Sequence, residues 1–159
     1  MEKSLNWGEI VKPYIFRIIS NKETSSNYGT GILVHSTTVL TAKHIVQGAA
    51  TVTISIDGTN YIAKEVHMDD NPIAILTIDE ITYIEPCCFS ACYVPSDEDH
   101  WNIFGFLSDE QSAHCLQGTG VYRLNPKSKN GDFALPNILL PLPNYQGLSG
   151  SPLIVRNTV

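Results

Sequence analysis

No apolar run in this sequence approaches the roughly 20 residues that a membrane-spanning helix requires. Its opening residues, Met1-Glu2-Lys3-Ser4-Leu5-Asn6-Trp7, lack the apolar core of a secretory signal, so none is expected. Basic residues are also scarce. Ten Lys and Arg against sixteen Asp and Glu leave a net charge of −6, and the cations are scattered without a stripe. That excludes a general binder of nucleic acid or of membrane surfaces. There are no internal repeats and no low-complexity tracts. The four cysteines stand at 87, 88, 92 and 115. An adjacent pair followed by a three-residue gap does not match the paired spacing of zinc knuckles, even with His114 added. Buried small hydrophobes are the expected role for these thiols. His35, His67, His100 and His114 also lack the spacing of a metal ligand set, and no metal or other cofactor is expected. His67 stands beside Asp69 and Asp70 and could pair with either.

What the sequence does contain is a soluble, core-forming chain. At 159 residues and 43% hydrophobic content it would ordinarily fold as one domain with a good core. Leu5 to Lys12 reads as a short helix halted at Pro13. Tyr14 to Ile19 is a strand, Ser20 to Asn27 a polar loop, and Tyr28 to His35 with Thr38 to Ala42 a hairpin. Thr51 to Ile56 alternates polar and apolar residues, turns at Asp57-Gly58, and continues as Tyr61 to Val66. Two alternating runs about Asp-Gly are a strong hairpin signal. Pro72 to Ile78 is a further buried strand. Residues 80–98 show little regular pattern, and strands resume at His100 to Phe106, Gly118 to Leu124, Ile138 to Leu142 and Leu153 to Val155.

The stretch with most chemical content is Asn144-Tyr145-Gln146-Gly147-Leu148-Ser149-Gly150-Ser151-Pro152. A glycine two residues before a serine allows backbone geometry closed to residues with a Cβ. The N–H of Gly147 can then point into a site beside that of Ser149, where an oxyanion would form. The alternative is a Gly/Ser-rich turn before a strand, and the stretch alone leaves both open. Far upstream, Gly29-Thr30-Gly31-Ile32-Leu33-Val34 precedes Val39-Leu40-Thr41-Ala42-Lys43-His44, a strand ending in a histidine. A serine hydroxyl needs a neighbouring base to take its proton, and imidazole has a suitable pKa.

Together these two motifs resemble the chymotrypsin/trypsin-like serine proteases, which carry a Gly-x-Gly strand followed by Leu-Thr-Ala-x-His, then Gly-x-Ser-Gly-x-Pro. The resemblance covers roughly residues 14–159. It implies an all-β fold of two six-stranded Greek-key β-barrels: an N-terminal extension at 1–13, a first barrel at 14–79 with the histidine, a linker at 80–98, and a second barrel at 99–159 with the serine. It implies a serine endopeptidase acting on protein or peptide substrates, with His44 as general base, Ser149 as nucleophile, and the N–H groups of Gly147 and Ser149 as oxyanion hole. The orienting acid of the family precedes the Ile-Ala-x-Leu strand, a slot held here by Pro72. Asp70 is the preferred substitute, since a proline kink could swing it towards His44, with Asp69 or no acid as alternatives. The pocket floor falls at Pro143, followed by Asn144 and Tyr145, which suggests a small or apolar side chain in the substrate.

Other departures have consequences. Leu148 occupies the slot where secreted zymogens carry an activating Asp, and no Arg/Lys-Ile-Val-Gly-Gly activation site is present. No cysteine braces the histidine loop, which with the absent signal favours a reducing cytoplasm. The resemblance also implies two strands beyond Val159, so the second barrel is expected to be incomplete here. Either the sequence is part of a longer protein, the preferred reading, or another chain completes the sheet. Compact domains of this type serve as effectors in bacterial antiviral systems, which implies an activating sensor protein or a further C-terminal domain. A catalytically lapsed protease fold used as a binding or scaffolding module is the alternative, motivated by Pro72 and the short C-terminus.

Overall fold

The computed structural model describes residues 12–70, 72–86, 100–107, 113–119, 123–124, 133–134 and 147–156. The expected helix at Leu5 to Lys12 falls mostly outside them; a single 3₁₀ turn, Lys12–Tyr14, leads into the first strand. Strands β1 (Ile15–Asn21), β2 (Ser26–His35), β3 (Thr38–Ala42), β4 (Thr51–Ile56), β5 (Thr59–Ile62), β6 (Glu65–Met68) and β7 (Ile73–Thr77) form one antiparallel sheet in the order β5-β4-β1-β2-β3-β7-β6.

Alternation drives this sheet inward. In β4, Val52, Ile54 and Ile56 are buried while the residues between them are not. Ile18 lies opposite Ile54, and Leu33, Val39 and Leu76 stand opposite one another across β2, β3 and β7. With Phe16, Val46, Ala74 and Ile81 these side chains form one core cluster. Each of the larger of these side chains contributes about 1.5–3 kcal/mol on burial.

The run Tyr61 to Val66, read from sequence as one strand, bends in its middle and serves both edges of the sheet. Tyr61 pairs with Ile54 in β4, whereas Val66 pairs with Leu76 in β7. The crossover is two residues long: the N–H of Ala63 donates to Val52 O at 2.9 Å, and that of Lys64 to Thr77 O at 2.8 Å. The sheet therefore closes on itself, and with β5 and β6 taken as halves of one bent strand it is a six-stranded barrel. Closure leaves no long open edge at that seam. Lys64 also pairs with Asp79 across the same corner. The β4–β5 turn has positive φ at both central residues, 46° for Asp57 and 80° for Gly58, as the hairpin's twist demands.

Of the second barrel, β8 (His100–Phe106) lies between β9 (Ala113–Thr119) and β12 (Leu153–Arg156), both antiparallel to it. A short pair, β10 (Arg123–Leu124) and β11 (Phe133–Ala134), completes the described strands. Among the described residues the architecture is all-β, with a curled antiparallel sheet forming the first barrel and part of a second. The expected strand at Ile138 to Leu142 lies outside the described residues.

Candidate active site

The histidine does not end a strand. β3 stops at Ala42, and Lys43–Val46 forms a single helical turn, α1, that carries His44. So short a helix has no intrinsic stability, and tertiary bonds hold it. Ile45 and Val46 are buried in the barrel core. The N–H of Lys43 donates to Pro72 O at 2.7 Å. The hydroxyl of Ser20, itself fully buried, donates to Ile45 O at 2.5 Å. With its neighbours on both sides fixed, His44 is the exposed member of the turn.

The acidic segment is tied to the same turn. The ammonium of Lys43 donates to Asp69 O at 2.6 Å. This bond and the one to Pro72 bring Asp69 and Pro72 alongside α1. Asp70 is exposed, and no hydrogen bond joins it to His44 among the described residues. His67 is also exposed and lies on β6 opposite Ile75.

The serine loop is fixed backbone atom by backbone atom. Gly147 and Gly150 adopt φ of 97° and 86°, in the region that favours glycine. The carbonyl of Gly147 accepts from Thr30 Oγ1 at 2.9 Å, that of Leu148 from Ser151 N at 2.9 Å, and that of Ser149 from Thr30 N at 2.8 Å. All three successive carbonyls are thus occupied. The N–H groups of Gly147 and Ser149, by contrast, have no acceptor among the described residues.

Two glycines show how closely this loop meets the histidine turn. A Cβ on Gly29 would lie 2.9 Å from Ile45 Cγ1 and 3.0 Å from Ser149 O, so the neighbours of both candidate catalytic residues converge on one point. A Cβ on Gly150 would lie 2.9 Å from Ala42 N, the residue that opens α1. The structure therefore places the Ser149 loop against α1, although 105 residues separate Ser149 from His44 in the sequence. No hydrogen bond joins the Ser149 hydroxyl to the His44 ring among the described residues. Pro143, Asn144 and Tyr145, the expected pocket residues, lie outside them.

Two residues of this site are not singled out by the sequence alone. Thr30 contacts the loop at two carbonyls, and Gly105 on β8 leaves space that a Cβ would take from Ser151 Oγ, at 2.0 Å. Thr30 stands between the two glycines of the Gly-x-Gly strand, and that flanking pair was the available signal. Gly31 is required independently, since a Cβ there would meet Val39 and Ile18 at 2.7 and 2.8 Å.

Among known proteins, residues 29–158 match the family model of the trypsin-like peptidase domain. No curated protein matches the chain. Several solved structures share its fold. The Rv3671c protease of M. tuberculosis, in its active form, superposes with a TM-score of 0.65 at 21% identity, over 92% of this chain and 66% of that one. A serine endoprotease from Yersinia pestis gives 0.72 at 18% identity, over 97% of this chain and 54% of the other. An HtrA-type protease solved with a tripeptide gives 0.71 at 17% identity, over 94% and 49%. This chain thus spans between half and two thirds of the length of these structures. With the family model covering most of its residues, the chain belongs to the trypsin-like peptidase domain family.

Proposed function

We propose that this chain is a serine endopeptidase that cleaves protein or peptide substrates through an acyl-enzyme. His44 takes the proton from Ser149 Oγ as that oxygen attacks the scissile carbonyl. The N–H groups of Gly147 and Ser149 receive the developing oxyanion. The tetrahedral adduct then collapses: the C–N bond breaks, His44 returns its proton to the departing amine, and the acyl group stays on Ser149. Water attacks that ester with His44 again as base, releasing the acid and restoring the hydroxyl. The observation that carries this reading is the docking of the Ser149 loop on Thr30 and Ala42, directly beside the turn that bears His44.

A fluorophosphonate probe tests it. The wild-type chain is expected to label and Ser149→Ala to remain unlabelled. A wild type that stays unlabelled, also when bound to its partner or in a longer natural chain, would leave the lapsed, binding-only fold. That second reading draws on Pro72 in the acid slot and on the exposure of Asp70. The proposal extends to a cytoplasmic effector gated by a partner protein or by a further part of the barrel.

The acid is open to direct measurement. Asp70→Asn is expected to lower kcat by up to about 10⁴-fold, the scale of losing a carboxylate that holds the imidazole tautomer. Asp69→Asn is expected to leave kcat far closer to wild type. The reverse ranking would assign the role to Asp69, and no loss in either variant would identify a Ser–His dyad.

A further inference from the structure

We infer that Thr30 is a positioning residue for the oxyanion hole, an assignment that rests on the proteolytic reading above. Thr30 is fully buried and uses every polar atom it has. Its N–H donates to Ser149 O at 2.8 Å and its hydroxyl to Gly147 O at 2.9 Å. The hydroxyl accepts from Phe106 N at 2.9 Å, and its carbonyl accepts from Thr41 Oγ1 at 2.8 Å.

The polarity of this chain of bonds is fixed. A backbone N–H can only donate, so the hydroxyl must accept from Phe106, and its single proton then goes to Gly147 O. A Val side chain at residue 30 has the same shape and can do neither.

The clamp acts where the loop is least constrained. The two N–H groups of the oxyanion hole, at residues 147 and 149, are separated by the peptide plane between Gly147 and Leu148. Gly147 has no Cβ to restrict that plane, so the freedom that lets it present its N–H also lets the plane rotate. The Thr30 hydroxyl holds the carbonyl of that plane, and the Thr30 N–H holds the carbonyl on the far side of Ser149. One residue therefore fixes the chain on either side of the Ser149 N–H. Because Phe106 belongs to β8, the same hydroxyl ties the geometry to the packing of the second barrel on the first. Without it, two buried polar groups lose their partners, and the Gly147 carbonyl recovers one by turning towards water.

The experiment measures kcat and KM on a fluorogenic peptide, inhibition by a peptide boronic acid, and the thermal midpoint. It uses the chain in the form that the fluorophosphonate labels. Thr30→Val is expected to lower kcat by roughly 10- to 100-fold, the scale of a small misplacement of reacting groups. KM should stay within about threefold, since ground-state binding is untouched. Boronate affinity should fall by the same factor as kcat/KM, because the boronate adduct occupies the oxyanion hole and the unreacted peptide does not. Thr30→Ser keeps the hydroxyl and is expected to recover most of the loss. Val52→Ala, a core truncation in β4, should lower the thermal midpoint without changing kcat. If Thr30→Val fails to fold, Thr30→Cys, with a weak donor of similar size, carries the same expectation. A Thr30 variant that lowers only the midpoint, as Val52→Ala does, or a Ser variant as impaired as Val, overturns the assignment while an active wild type keeps the proteolytic reading. A wild type without turnover overturns both.

Discussion

Replacing His44 by Ala is expected to lower kcat by roughly 10⁶-fold, and adding Ser149→Ala is expected to cost nothing more. In the proposed mechanism the two side chains perform one step. Without the imidazole the hydroxyl keeps its proton at neutral pH and its nucleophilicity is lost; without the hydroxyl the imidazole has no proton to take. Effects of groups that act as a unit do not add, so the double variant should match either single one. The residual rate would come from backbone groups, since the carbonyls of Gly147, Leu148 and Ser149 keep their donors in all these variants. Single-turnover assays of the two single variants and the double one decide the matter. A double variant slower than both by a further large factor would mean that His44 and Ser149 work in separate steps. Substituting His67 is the matching control. It is exposed on β6 opposite Ile75, and its loss should leave kcat near wild type.

The features legible from sequence are those whose residue types are dictated by local geometry or by chemistry. Asp57-Gly58 is read as a hairpin because two consecutive positive φ values admit few residue pairs, and the turn has them. The Gly-x-Ser-Gly and Thr-Ala-Lys-His segments are read because they match the motifs of the family, and the structure docks the first against the turn that carries the second. The bend between Ala63 and Lys64 escapes such reading, because the alternation that marks a strand continues across it while its hydrogen bonds change partner from β4 to β7. The single turn of α1 is too short for any periodicity to register. Thr30's role is not read for another reason: its hydroxyl partner lies 117 residues away, and a threonine in a strand is common by propensity, so only the flanking glycines mark the position. The orienting acid stays open in the sequence because Pro72 displaces the family's spacing. The structure brings Asp69 and Pro72 to α1 through their backbone carbonyls.

Gly150→Ala is expected both to destabilise the protein and to displace the Ser149 loop. Two penalties combine there. The φ of 86° costs a residue with a Cβ about 1–2 kcal/mol wherever it occurs. In addition, the new methyl would lie 2.1 Å from Thr30 O, 2.6 Å from Thr41 Oγ1 and 2.9 Å from Ala42 N. Two of these are backbone atoms of β2 and of the residue opening α1, so no side chain can swing aside. The loop must move instead, and with it Ser149 leaves the histidine turn. Overpacking of this kind typically adds about 1–3 kcal/mol, so the total destabilisation is on the order of 2–5 kcal/mol. Gly58→Ala separates the two contributions. Its φ of 80° is nearly the same, but a Cβ there has nothing within 4 Å. It should show only the backbone strain, about 1–2 kcal/mol in denaturant titration, with fluorophosphonate labelling unchanged. Gly150→Ala should show the larger loss together with abolished labelling in whatever fraction remains folded. Equal stability losses in the two variants, or normal labelling of Gly150→Ala, would mean that the Ser149 loop does not bear on β2 and α1 as closely as the packing around Gly150 requires.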